Sequence, residues 1–215
     1  MRAVVRLGVV MAMVGCGDDG AEAQLFAIGD SFLEFHEAEG ASIPVAAAER
    51  LGMSIHNAAV SGALLTGDEP ITDQYTEGVH DWLVMGGGGN DVHERCGCDG
   101  CDDLLDQMIS EDGSSGMIPD FVSSVTGSGV RVAFVGYLDM PDTAADGFDG
   151  CNEELEVIRT RLGAMADGVD VLFVDASDVV SVNDLHGYED DHVHPSQAGA
   201  ASVGRYLAER IAEAG

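Results

Sequence analysis

At 215 residues the chain is long enough for one domain with a sizeable core, and its 46% hydrophobic content is that of a globular protein. It carries 39 acidic residues against 9 arginines and no lysine, a formal net charge of −30. That balance argues against nucleic acid, whose phosphates need cationic partners, and against electrostatic attachment to an anionic membrane surface; it describes an acidic, solvated surface suited to salty surroundings.

The first fifteen residues read as a targeting segment, set apart from the fold. Arg2 and Arg6 form a positive start, and Leu7 to Val14 form an apolar run too short to span a membrane as a mature helix. The run ends in Met13-Val14-Gly15-Cys16 and turns polar at Gly17-Asp18-Asp19-Gly20. This resembles a bacterial lipoprotein signal with its lipobox, with Met13 where leucine is usual. The resemblance implies that residues 1–15 are removed, that Cys16 becomes the lipidated first residue, and that residues 16–23 form a tether. The chain is then exported and held at a membrane by its lipid anchor only, since two or more acyl chains anchor stably where one does not. A plain secretory signal is the alternative.

From residue 24 onward, apolar runs alternate with helical patterns. Leu25-Phe-Ala-Ile28 is a first strand, broken by the turn residues Gly29-Asp30-Ser31. A helix is expected from Ser31 to about Glu39, bounded by Gly40 and Pro44, and a second from Pro44 to Leu51 with Gly52 closing it. Met53 to Val60 is a second strand and Asp81 to Met85 a third, running into Gly86-Gly-Gly-Gly-Asn-Asp91. Residues 93–103 form a cysteine-rich insertion, followed by a helical turn or two at Asp103–Ile109 and a longer helix at Ile118–Val125. Val130 to Gly136 is a fourth strand, and residues 139–150 an acidic loop. Leu155, Ile158, Leu162 and Met165 mark a helix over Glu153–Met165. Val169 to Val174 is a fifth strand, and Ser196–Ala212 a terminal helix with Ala200, Val203, Leu207 and Ile211 on its apolar face. Strands alternating with helices predict a parallel α/β sheet with right-handed crossovers.

Setting Cys16 aside leaves Cys96, Cys98, Cys101 and Cys151. An even number in an exported protein predicts two disulfides in one of three pairings, stapling an irregular insertion to the segment around Cys151. A structural zinc is the alternative, disfavoured by the tight Cys-Gly-Cys-Asp-Gly-Cys run and the oxidising compartment.

Four stretches carry candidate chemistry. Ser31 stands at the carboxyl end of the first strand, where open α/β sheets place their sites. Ser61-Gly62 ends the second strand. Gly88-Gly-Asn90-Asp91 ends the third; its glycines allow close backbone approach, and an asparagine amide can donate to an oxyanion. A phosphate-binding loop is not supported, because no lysine follows and the spacing fits neither nucleotide fingerprint. Asp191-His-Val-His194-Pro195 precedes the last helix. An acid three positions before a histidine can hold one ring nitrogen and leave the other as a base. Asp190 and His192 offer a second assignment; only Asp191 and His194 give the three-residue spacing and the following proline.

In this order, each at a strand end, the four stretches resemble the blocks of the SGNH (GDSL-type) hydrolase family. The resemblance spans residues 24–213. It implies a three-layer α/β/α, flavodoxin-like fold with a five-stranded parallel sheet, making residues 24–215 one hydrolase domain. It also implies that Ser31 is the nucleophile, His194 the general base and Asp191 the group orienting the imidazole. The N–H groups of Ser31 and Gly62 and the Asn90 amide would form an oxyanion hole. The expected activity is cleavage of carboxylic esters through an acyl-serine intermediate, with no cofactor or metal, on a small-molecule or glycan ester. An O-acetyl esterase acting on polysaccharide and a non-catalytic acidic surface binding protein are the alternatives. Asp146-Gly-Phe-Asp149-Gly150 lacks the ligand spacing of an EF-hand loop, which disfavours a calcium-binding role.

Overall fold

The structure, a computed structural model, describes residues 22–215. The targeting segment, Cys16 and most of the tether lie outside the described residues. The strands β1 (Leu25–Ile28), β2 (Ile55–Asn57), β3 (Trp82–Met85), β4 (Arg131–Gly136) and β5 (Val171–Asp175) form a single sheet in the order β2-β1-β3-β4-β5. All neighbouring pairs are parallel, and Ala27 at the centre faces Asn57 on one side and Val84 on the other. β1 and β3 are wholly buried, as is β4 from Val132 onward. Helices cover both faces, so no strand face is left for polar residues to fill, and the apolar runs are continuous.

The helices are α1 (Ser31–Glu34), α2 (Ile43–Leu51), α3 (Gly89–Cys96), α4 (Asp102–Met108), α5 (Met117–Gly127), α6 (Asn152–Gly168) and α7 (Gln197–Ala214). The chain steps outward from β1 to β2 through α2, and in the opposite direction from β3 to β5 through α5 and α6. With right-handed crossovers, those two directions put α2 on one face and α5 and α6 on the other. α7 packs on α2 and completes its layer. The two helices approach closely: a Cβ on Gly204 would lie 2.6 Å from the Ile43 carbonyl oxygen. Ser42 caps α2, Pro44 sits in its first turn and Gly52 closes it; Ser196 caps α7 by accepting from the Gly199 N–H. The apolar faces expected on α6 and α7 are buried.

Three expectations change. The helix from Ser31 stops at Glu34, because Phe35 turns extended and His36 is left-handed at φ 66°; a single 3-10 turn follows at Glu37–Glu39. β2 is shorter than residues 53–60. The Met53 N–H is taken by the Ala48 carbonyl in the closing turn of α2, and beyond Asn57 the chain follows β1 only through Ala58 and Val60. The cysteine-rich stretch is not irregular, since α3 runs through Cys96 and α4 starts at Asp102. Its cysteines pair as Cys96–Cys101 and Cys98–Cys151. The second bridge fastens the turn between α3 and α4 to a kinked 3-10 segment, Ala145–Cys151, at the end of the acidic loop. Among the described residues no helix is long and apolar enough to cross a membrane.

Candidate active site

The strand order reverses between β1 and β3, and ligands of open α/β sheets bind outside the strand ends at such a point. Both loops leaving that crevice carry candidate residues. After β1 the chain turns through Gly29-Asp30 into α1, whose first residue is Ser31; the Asp30 carboxylate accepts the Phe32 N–H at 2.9 Å. The second cluster comes from the turn before α7. Asp191 Oδ1 accepts the N–H groups of Val193 at 2.9 Å and His194 at 3.0 Å, and Oδ2 lies 2.7 Å from His194 Nδ1. One carboxylate therefore both folds the turn and holds the ring. Because a carboxylate only accepts, Nδ1 bears the hydrogen, which leaves Nε2 as an acceptor 2.9 Å from Ser31 Oγ. The sequence neighbours are placed elsewhere: Asp190 is exposed, and His192 Nδ1 lies 2.7 Å from Thr143 Oγ1.

The imidazole is held on its face as well. Phe35 stacks on His194 with ring centroids 4.2 Å apart and planes 10° from parallel. His36, next to it, reaches the Pro195 carbonyl at 3.2 Å and Glu189 at 3.0 Å, which ties the segment after α1 to the Asp191 turn. The break in the expected helix at Phe35 and His36 thus serves the site. Nothing in the local sequence signals this contact between residues 159 positions apart.

Gly62 lies in the left-handed region at φ 77°, where glycine alone is unstrained. Gly88, at φ 107°, turns the chain out of β3 so that α3 starts with Gly89 and carries Asn90. The Asn90 amide donates one hydrogen to the Ala63 carbonyl at 3.1 Å and retains a second. The N–H groups of Ser31 and Gly62 meet no acceptor among the described residues. Ser31, His194, Gly62 and Asn90 all line one cavity of about 260 Å³. All five residues singled out for the site, Asp191 included, are brought together.

Beneath the cavity lies a polar layer that motif spacing did not reveal. Tyr137, following β4, donates its hydroxyl hydrogen to buried Asp30 and accepts from the Gly89 N–H at 3.0 Å. A Cβ on Gly89 would come within 2.8 Å of the Tyr137 ring, so glycine is what admits the ring here. Asp91, fully buried, accepts from Leu65 N–H at 2.8 Å, Thr66 N–H at 2.9 Å and Thr66 hydroxyl at 2.6 Å. It thereby fixes the loop that follows Gly62 to α3.

Asp30 and Asp191 are driven in opposite directions. Burial raises the Asp30 carboxyl above the usual carboxylate range, against the hydrogen bonds from Tyr137 and Phe32, and the charge of Asp91 adds to the rise. Burial opposes ionisation of Asp191 too, but the hydrogen bonds from His194 and Val193 outweigh it and hold that carboxyl low. Asp191 is therefore a fixed anion beside the imidazole. Among the described residues no group of three or more His, Cys, Asp or Glu side chains is arranged to hold a metal ion.

Residues 27–201 match the GDSL-like lipase/acylhydrolase family. The chain belongs to that family. No curated protein sequence matches it. Among solved structures, this GDSL-family chain is similar to an inhibitor-bound aryl esterase of M. smegmatis, at 18% identity and TM-score 0.56 over 88% of this chain and 98% of that one. It is also similar to a carbohydrate acetylesterase family member from Sinorhizobium meliloti, at 18% identity and TM-score 0.58 over 88% and 97%. A second carbohydrate acetylesterase from Sinorhizobium meliloti aligns at 21% identity and TM-score 0.55 over 88% and 98%. At these identities the likeness is one of fold. The family makes the chain a hydrolase of the ester-cleaving class.

Proposed function

We propose that the protein is a serine esterase that cleaves carboxylic esters through an acyl-serine intermediate. The observation that carries this reading is the hydrogen-bonded line Asp191–His194–Ser31, at 2.7 and 2.9 Å, opening into a cavity with unused donors. Serine is a weak nucleophile and needs an adjacent base. In the proposed reaction Ser31 Oγ attacks the ester carbonyl while His194 Nε2 takes its proton, and Asp191 stabilises the imidazolium without itself becoming protonated. The carbonyl oxygen gathers negative charge, which the N–H groups of Ser31 and Gly62 and the free hydrogen of the Asn90 amide are set to meet. Donors of this kind contribute about 3 kcal/mol each. Collapse breaks the ester C–O bond, with the leaving oxygen taking the proton from His194; water then attacks the acyl-serine by the same route. A fluorophosphonate probe should label the wild type and not Ser31→Ala, and kcat on p-nitrophenyl acetate should fall at least about 10³-fold in that variant. Equal labelling or equal turnover in Ser31→Ala would sink the proposal.

A narrower reading, an O-acetyl esterase on polysaccharide, is favoured by a second cleft. It has a volume of about 640 Å³, adjoins the first through Ser61 and Gly62, and presents Asp68, Glu69 and Asp73. Carboxylates accept hydrogen bonds from sugar hydroxyls. Retained activity on aryl acetates with none on acetylated glycans would remove this narrower reading.

We also propose that the mature chain is exported and anchored through Cys16, on the strength of the lipobox-like Met13-Val14-Gly15-Cys16. Metabolic labelling with palmitate should mark the wild type and not Cys16→Ala. Unlabelled protein found free in the medium would favour plain secretion instead.

A further inference from the structure

The walls of the candidate active-site cavity are mostly apolar and come from Phe32, Phe35, Met140, Phe148 and Val193. Phe32, Phe35 and Val193 sit on the segments that carry Ser31 and His194, and Met140 is held through its backbone N–H and carbonyl by the Asn152 amide. Phe148 belongs to the Ala145–Cys151 segment, which lies against α3 and the start of α6. Asp142, Thr143, Asp146, Gly147, Asp149 and Gly150 around it are exposed. A segment with so many exposed residues depends on its cross-links for its position.

Those cross-links are specific. The Phe148 ring lies parallel to the His93 ring, with centroids 4.1 Å apart and planes 9° from parallel. His93 is on α3, one turn beyond Asn90, and its Nε2 donates to the Asp146 carbonyl at 2.8 Å. Asp146 at φ 56° and Gly147 at φ 87° kink the backbone just before Phe148. Cys151 ends the segment in its bridge to Cys98. The Ala145 N–H, at the other end, donates to the Asp191 carbonyl at 2.8 Å. Both flanks of Phe148 are thus pinned to elements that carry site residues.

We propose that Phe148 is a specificity-determining residue that limits the length of the acyl chain accepted beside Ser31, and that the His93 stack and the Cys98–Cys151 bridge hold it in place. The inference rests on the serine-esterase reading above and adds what that site takes: short, apolar acyl groups. The cavity, at about 260 Å³, is smaller than the roughly 300–1,000 Å³ of pockets that enclose drug-sized ligands. Removing the Phe148 ring lengthens the apolar pocket, whereas the oxyanion donors and the His194 line do not depend on it.

The test compares kcat/KM for p-nitrophenyl hexanoate with kcat/KM for p-nitrophenyl acetate on one enzyme at a time, so that any loss of folded protein cancels. Phe148→Ala should raise the hexanoate-to-acetate ratio about tenfold or more, the scale of discrimination that a few methylenes give in an apolar pocket. Phe148→Trp should lower it. The double variant Cys98→Ser/Cys151→Ser should move the ratio in the same direction as Phe148→Ala, through the released segment. A wild-type ratio in Phe148→Ala, in protein that still reacts with a fluorophosphonate at Ser31, overturns the specificity role. A wild-type ratio in the cysteine double variant overturns the tether. Wild-type protein that neither turns over either ester nor labels at Ser31 overturns the esterase reading and this inference with it, a result distinct from the other two.

Discussion

At the scale of single residues, the site separates two of its carboxylates by environment. Asp191 accepts three hydrogen bonds and stays ionised; Asp30 is buried under the serine, where ionisation is costly. The Asp30 shift has a consequence for stability. Its folded value lies above the unfolded one, so the folded state holds the proton more tightly. The favourable contribution is complete below the unfolded value, near pH 4, and is lost as pH rises through the folded value. Asn at this position keeps an oxygen for the Phe32 N–H, turns an amide N–H toward the Tyr137 hydroxyl in place of the second oxygen, and caps helices as well as aspartate does. Asp30→Asn should therefore gain on the wild type in unfolding free energy as pH is raised from about 4 to 8. Urea unfolding at a series of pH values measures the gap between the two proteins. A gap that does not change with pH, or one that moves in the wild type's favour, would contradict the assignment.

At the scale of elements, what was legible in the sequence followed from burial. β1, β3 and β4 lie in the covered interior of the sheet, and their runs of apolar residues stand out without any knowledge of neighbours; β5, an edge strand buried only in part, still carries such a run. α6 and α7 each bury one stripe, so the 3.6-residue period marks them. β2 pairs with β1 alone and is half-buried, and its ends are claimed by the closing turn of α2 and the approach to Gly62. Its limits are tertiary facts. The site shows the same division. Ser31, Gly62, Asn90, Asp191 and His194 follow strand ends or precede a helix and carry recognisable spacing. Phe35, Tyr137 and Phe148 act across the fold, as the His194 stack, the support of Asp30 and Gly89, and a cavity wall. Aromatic residues of this kind read in sequence as core. Gly89 gives the clearest case: its place in a glycine run reads as a turn, yet the Tyr137 ring is the reason a side chain is excluded there.

At the scale of the whole molecule the governing fact is charge. With 39 acidic and 9 basic side chains, most carboxylates have no cation to meet, and one arginine serves several of them. Arg159, almost buried on α6, faces Asp139 at 2.7 Å, Glu156 at 2.6 Å and Asp175 at 3.7 Å. Arg161, two residues on, joins Asp106 on α4 at 2.8 Å and the Ile109 carbonyl at 2.7 Å. These are local clamps within a surplus of like charge, and self-repulsion across the surface opposes the compact state. Unfolding spreads those charges apart, so screening favours the folded form. The Debye length shrinks from roughly 10 Å at 0.1 M salt to about 3 Å at 1 M, short enough to uncouple neighbouring surface carboxylates. The melting temperature should accordingly rise between 0.05 and 1 M NaCl by about 4 °C or more, which for a chain of this size corresponds to about 1 kcal/mol or more. Potassium chloride should do the same at equal ionic strength, because screening does not distinguish the two cations. A flat or falling melting temperature would mean that repulsion does not limit stability. A matching rise with millimolar calcium at fixed ionic strength would replace screening with occupation of a site by the ion.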